Sequence, residues 1–239
     1  ADAMGDTLVQ RLRDSVQDQS EIAGEDDDVI ADHVAQLDML AAVFNATDIA
    51  VGIIDVHLLD RVLSTVPEQF ENDPETEAAV REIVADSYVQ LGLYDRAGPE
   101  YETALELRET IFGRLHEKTL ESISDLGLLR LKQARLEEAA LLFEEARAGR
   151  IEVLGEDHPE TIASVQNLAT LARASQDLPR AEELFRKAYE SSKRINGSIN
   201  GLTGALAGNV GVVCMEQGRH KEALPFLEFS HEVCREIYG

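Results

Sequence analysis

The chain has 239 residues, 44% of them hydrophobic, with 16 glycines, six prolines, no tryptophan and a formal net charge of −24. That content can bury a real core, as one large unit or as an array of small ones. The charge repels nucleic acid and anionic membrane, and no apolar run reaches membrane-spanning length, so nucleic-acid binding and direct membrane insertion are not expected. The opening ADAMGDTLVQRLRD has neither a basic nor an apolar region of the kind a signal peptide needs. Cys214 and Cys234 suit a reducing compartment or mere indifference to redox, and a cytoplasmic setting is favoured.

Residues 1–28 form an acidic N-terminal segment. LVQRLRDSV reads as a short helix and AGEDDD as a charged loop. The composition of this segment equally allows disorder. Residues 29–74 read as a diverged helical cap. Ile30, Val34, Leu37, Leu40 and Ala41 fall at helical spacing in 29–43, and Ile53, Ile54, Leu58, Leu59, Val62 and Leu63 do so in 48–65. Such a hairpin would cover the first face of an array.

From residue 75 the chain repeats itself. GRLHEKTLESISDLGLLR begins at Gly113 and GEDHPETIASVQNLATLA at Gly155, 42 residues later. The same interval links Ala97, Ala139, Ala181 and Ala223, and also Gly113, Gly155, Gly197 and Gly239. It links Ala104, Ala146, Ala188 and Ser230, and Tyr101, Phe143, Phe185 and Leu227. Four units follow: 75–113, 114–155, 156–197 and 198–239. In each, a first helix ends near LGLY, KQAR, SQDL or EQGR, and a tight turn leads to a second helix. Ala181, Phe185 and Ala188 lie on one face at i, i+4 and i+7. Alanine lets two helices approach, and the ring fills the gap to the next one. Each unit's glycine is expected to cap the second helix in the left-handed conformation. Pro159, Pro99 and Pro225 are all expected in first helical turns. One hairpin cannot cover its own apolar faces, so the pairs must stack.

The 42-residue unit, with LGEDHPET, QNLA, AEELFRKA and a closing glycine, resembles the tetratricopeptide repeats of the kinesin light chain type. The match is good at 113–197 and extends over roughly 75–239. The last copy departs from it, with NGSINGLTG in place of the GEDHPET start. The resemblance implies an all-α, TPR-like right-handed α-solenoid of stacked antiparallel helix pairs, and a non-catalytic module that binds a protein or peptide in its concave groove. A second resemblance runs from Gln36 to Gly113, through MLAAV and LGLYDRA. This stretch is similar to the one that opens the repeat region of large bacterial serine/threonine protein kinases, as in planctomycetes. It implies a piece of a larger signalling protein. No Gly-rich loop, HRD or DFG is present.

Catalysis is not indicated. GxSxG, HExxH, GxxxxGK and CxxC are absent. His33, His57, His116, His158, His220 and His231 fall in no usual zinc spacing, and no metal or cofactor is expected. His116 and His158 are expected to order the entry to their helices, and Cys214 and Cys234 to face packed surfaces. Glu137–Glu138 and Glu182–Glu183 are placed at the starts of second helices, near the positive end of the dipole.

The candidate site is the column just before the leucine of NLA. In the resembled family an asparagine there often contacts the backbone of a bound peptide. The column reads Ile83, Asp125, Asn167 and Asn209, and the preceding one Glu82, Ser124, Gln166 and Gly208. Carboxamides one repeat apart can donate to and accept from an extended chain. Lys132 and Arg173, on neighbouring turns, could hold an acidic side chain or terminus, whereas the overall charge favours a basic partner. The alternative is a spacer or oligomerisation scaffold without such a groove, self-associating through exposed terminal faces.

Overall fold

The computed structural model describes residues 48–238. The elements expected in 1–28 and in 29–43 lie outside the described residues. The described residues form nine helices and no strand: α1 Asp48–Gln69, α2 Pro74–Gln90, α3 Tyr94–Phe112, α4 Glu117–Lys132, α5 Leu136–Leu154, α6 Pro159–Ala174, α7 Leu178–Asn196, α8 Gly201–Glu216 and α9 His220–Tyr238. The described residues divide into two units between Val62 and Leu63. The described part of the first is a single helical stretch of α1. In the second, α2 pairs with α3, α4 with α5, α6 with α7 and α8 with α9. Each second helix packs on the next first helix, and α4 also touches α6. This is the expected all-α solenoid of stacked helix pairs.

Two kinds of corner turn the chain. Inside each pair the first helix ends in a Schellman motif. The amides of Leu93, Arg135, Asp177 and Arg219 donate to the carbonyls of Tyr88, Arg130, Ala172 and Cys214 at 2.8–2.9 Å. The motif needs a left-handed residue, supplied by Gly92, Ala134, Gln176 and Gly218 at φ 74°, 58°, 63° and 77°. Between pairs the column glycines take over. Gly113, Gly155 and Gly197 have φ of 82–86° but ψ of 167–175°. That combination is open essentially to glycine alone, and the chain leaves extended. The expectation of a left-handed cap at these glycines is corrected on this point: the left-handed residues are those inside the pairs.

The recurring threonine explains the spacing behind each glycine. The Thr119, Thr161 and Thr203 hydroxyls donate to the carbonyls of Gly113, Gly155 and Gly197 at 2.8, 2.8 and 3.0 Å. All three threonines are buried. The next helix is capped by the residue three positions after the glycine. His116 Nδ1 accepts from the Lys118 amide and His158 Nδ1 from the Glu160 amide, each at 3.3 Å. Asn200 Oδ1 does the same for Leu202 at 2.9 Å, so the departing fourth copy keeps the cap without the histidine.

The repeat columns form the core. Ala97, Ala139, Ala181 and Ala223 are at most 1% exposed, and Tyr101, Phe143 and Phe185 at most 4%. Leu227, in the last pair, is half-buried. Burying a ring of this size contributes about 1.5–3 kcal/mol. The opposing helices make room by losing side chains. A Cβ on Gly127 would lie 2.6 Å from the Phe143 ring, and one on Gly211 would lie 2.7 Å from Leu227.

Further expectations are corrected. Pro99 and Pro225 lie in the second turn of α3 and α9, because those helices begin earlier, at Tyr94 and His220. α1 continues past residue 65 to Gln69, with Pro67 in its last turn. Glu137 and Glu138 do occupy the first turn of α5, but Glu182 lies beyond the first turn of α7 and pairs with Arg186 and Arg219. Cys214 is buried and Cys234 exposed, since no described helix packs outside α9.

Candidate functional site

The first helices stand side by side and contact one another across repeats. Lys118 of α4 pairs with Glu75 of α2. Arg173 of α6 meets Glu216 of α8, its Nε 3.0 and 3.2 Å from the two carboxylate oxygens. Asp125, Asn167 and Asn209 occupy equivalent positions in α4, α6 and α8 and are all half-buried. The Gln166, Asn167 and Asn209 amides have no hydrogen-bond partner among the described residues. Half-buried amides of this kind are left to solvent or to a ligand.

The fourth member of the column, Ile83, is 63% exposed and apolar. Ser124 is 5% exposed; its hydroxyl donates to the Leu120 carbonyl at 3.0 Å and accepts from Arg150 at 3.0 Å. Gly208 faces Ser230 of α9. The preceding column therefore turns inward at these two places. Lys132 is exposed at the end of α4. Arg173 already holds a carboxylate, that of Glu216, the task expected of it toward a ligand.

The α2–α4 end is acidic. Burial pushes the Asp125 carboxyl up to about 7, helped by repulsion from Glu82, Glu121 and Asp86 and opposed by Arg108. Burial also raises Glu82, in spite of its hydrogen bond from Ser122 at 2.6 Å and its ion pair with Arg108. The Tyr101 hydroxyl donates to Asp86, and burial beside these carboxylates raises the phenol as well.

Two arginines set the spacing of these first helices, and sequence reasoning passed over them. Arg108 of α3 is 8% exposed and donates to the Lys118 carbonyl at 2.8 Å and to Ser122 at 3.1 Å, besides Glu82. It thereby ties α2 to α4. Arg150 of α5 is 4% exposed and donates to Ser124 of α4 at 3.0 Å and Ser164 of α6 at 2.8 Å. In the third unit Ser192 replaces the arginine and hydrogen-bonds Thr203 at 2.8 Å. The signal was present: Arg108 and Arg150 are 42 residues apart. Among the described residues no group of His, Cys, Asp and Glu is placed to hold a metal ion, and no helix is long and apolar enough to cross a membrane.

The sequence matches the tetratricopeptide repeat family over residues 76–152 and 142–194. Comparison by sequence with curated proteins gives no match. Among solved structures, the chain is similar to BtubC (BKLC) from P. vanneervenii, with a TM-score of 0.65 at 16% identity over 98% of this chain and 91% of that one. It is also similar to the Q17M form of a putative kinesin light chain with nearly identical TPR-like repeats from Podosopora anserina, with a TM-score of 0.61 at 17% identity over 95% of each chain. MamA aligns with a TM-score of 0.50 at 15% identity, over 74% of this chain and 90% of that one.

Proposed function

Because the chain carries tetratricopeptide repeats in an all-α solenoid, we propose that it is a non-catalytic interaction module whose row of first helices binds an extended peptide or protein segment. The observation that supports this most directly is the column Asp125, Asn167 and Asn209, with Gln166 beside it. These polar groups recur at the repeat interval on neighbouring helices, half-buried, and the three amides have no partner among the described residues. A peptide backbone offers donors and acceptors along its length, and regularly placed carboxamides suit it.

A basic or neutral segment suits this face better than an acidic one. Arg173 is satisfied by Glu216, while Glu82, Asp86, Glu121 and Asp125 crowd the α2–α4 end. The field of a chain of charge −24 would steer the same class of partner. A place within a larger signalling protein, next to a kinase, is proposed from the resemblance of residues 36–113 alone, and a cytoplasmic location from composition.

The test is capture of partners by the wild type and by an Asn167→Ala, Asn209→Ala double variant shown by circular dichroism to be folded. Loss of partners from the variant supports the reading. Equal retention at low and high salt removes these asparagines from the site. Failure of any partner to bind leaves the spacer or scaffold role standing, and light scattering then tests self-association through terminal faces.

A further inference from the structure

A second surface lies away from the groove column, at the ends of the second helices. Eleven large hydrophobic residues are exposed among the described residues, and six of them fall at equivalent places in the repeat. Two positions before the column glycine stand Ile111, Val153, Ile195 and Ile237, 36–50% exposed. Two positions after it stand Leu115 and Ile199, 44% and 53% exposed. Isolated exposed aliphatics need no explanation, but one recurring in four consecutive units forms a row.

The inter-pair corners make this row continuous. Asp157, the residue equivalent to Leu115 and Ile199, reaches Arg194 in the last turn of α7, with contacts of 2.5 and 3.1 Å. Each corner therefore abuts the last turn of the following second helix. By the same repeat geometry Leu115 is placed beside Glu152 in the last turn of α5 and Ile199 beside Glu236 in that of α9, each next in sequence to the row residue Val153 or Ile237. The order along the edge is Ile111, Leu115, Val153, then the Asp157–Arg194 ion pair, then Ile195, Ile199 and Ile237.

Charge decides what could cover this row. Arg114, Lys118 and Arg194 are neutralised by Glu109 and Glu145, by Glu75 and by Asp157. Lys193 lies over the Tyr189 ring, and Arg235 is exposed near the end. Against these, Glu117, Glu152, Glu156 and Glu236, all within two residues of the row or its glycines, have no ion pair or side-chain hydrogen bond among the described residues. A second copy would bring two charges of −24 together, which opposes self-pairing.

We infer that this edge docks a basic amphipathic helix from a partner protein, apolar residues on the aliphatic row and lysine or arginine toward the flanking glutamates. This surface does not depend on the groove reading, and the two can fail separately.

The test uses the whole chain and a synthetic helical peptide with leucines on one face and lysines on the other. A glutamate version of the peptide serves as control. Titration followed by isoleucine methyl NMR is expected to shift Ile111, Ile195, Ile199 and Ile237. A Val153→Ser, Ile195→Ser variant is expected to bind at least about tenfold more weakly, and the Asn167→Ala, Asn209→Ala variant as tightly as wild type. Both altered residues in the first variant are exposed, and its folding is checked by its circular dichroism melt. Equal binding of the glutamate peptide, unchanged affinity in the serine variant, or shifts confined to the groove would each overturn the inference. So would dimerisation of the free protein that the serine variant abolishes, which would assign the edge to a second copy.

Discussion

Asp125 shows how one side chain registers its surroundings. Its carboxyl is held at about 7 in the folded chain, against about 3.9 for an ordinary aspartate. Between those values the folded state keeps a proton that the unfolded state gives up. Stability is therefore greatest below the lower value, falls as pH rises through the window, and levels off above the upper one. Asp125→Asn removes this fall. The variant is expected to match wild type near pH 4 and to exceed it at pH 8 by on the order of 1–3 kcal/mol, read from urea melts. Parallel pH profiles for the two would show that Asp125 ionises as an ordinary surface carboxylate. A residue-scale prediction of opposite sign concerns packing. Phe185 is 1% exposed between α7 and its neighbours, and Phe185→Ala is expected to cost about 3–5 kcal/mol. Ala181, fully buried in the same cluster, has no room for a larger group, and Ala181→Leu is expected to cost about 1–3 kcal/mol. The same melts check both.

The helix corners divide what the sequence could reveal from what it could not. Gly113, Gly155 and Gly197 were visible because a backbone at φ of 82–86° and ψ near 170° admits almost nothing else. The left-handed corners inside the pairs were hidden, since two of the four use Ala134 and Gln176 instead of glycine. Those two residues store strain, because a Cβ in this region costs about 1–2 kcal/mol. Gln176→Gly is therefore expected to raise stability by roughly 1 kcal/mol, the flexibility of glycine in the unfolded chain offsetting part of the gain. A lower melting midpoint for this variant would mean that the Gln176 side chain does more than occupy the turn. The caps behave similarly. Asp73, His116, His158 and Asn200 perform one task with three chemistries, so NGSINGLTG keeps the cap, although Asn200 reaches it from a φ of −146° where His116 and His158 have −76° and −71°. His158→Asn is expected to leave stability unchanged within about 0.5 kcal/mol, and His158→Ala to cost about 1 kcal/mol.

For the molecule as a whole, the repeat interval was the legible quantity, and the contacts between units were not. Forty-two-residue columns of alanine and aromatic residues report packing within a pair and onto the next, because only small and bulky residues alternate there. The candidate site was legible to the extent that the Asn167 and Asn209 column recurs; that Ser124 turns inward and Arg173 is occupied depended on partners tens of residues away. The same holds for Arg150, which reads in sequence as an ordinary surface cation. In the fold its guanidinium joins Ser124 of the second unit to Ser164 of the third, with Glu160 at 3.3 Å. In a stacked array, stability is a sum of units and of the interfaces between neighbours. Arg150→Ala weakens one such interface. The Ser124 and Ser164 hydroxyls keep their bonds to the Leu120 and Glu160 carbonyls, so the expected cost is moderate, about 1–3 kcal/mol. Its distribution distinguishes it from a core defect. Hydrogen exchange is expected to quicken first at α6, where the third unit meets the second, while α2 and α3 keep their protection. Lys132→Ala, at an exposed site, should change stability by less than about 0.5 kcal/mol. Uniform loss of protection from α2 to α9 in the Arg150 variant would show that the units unfold together and that Arg150 is not a separable joint.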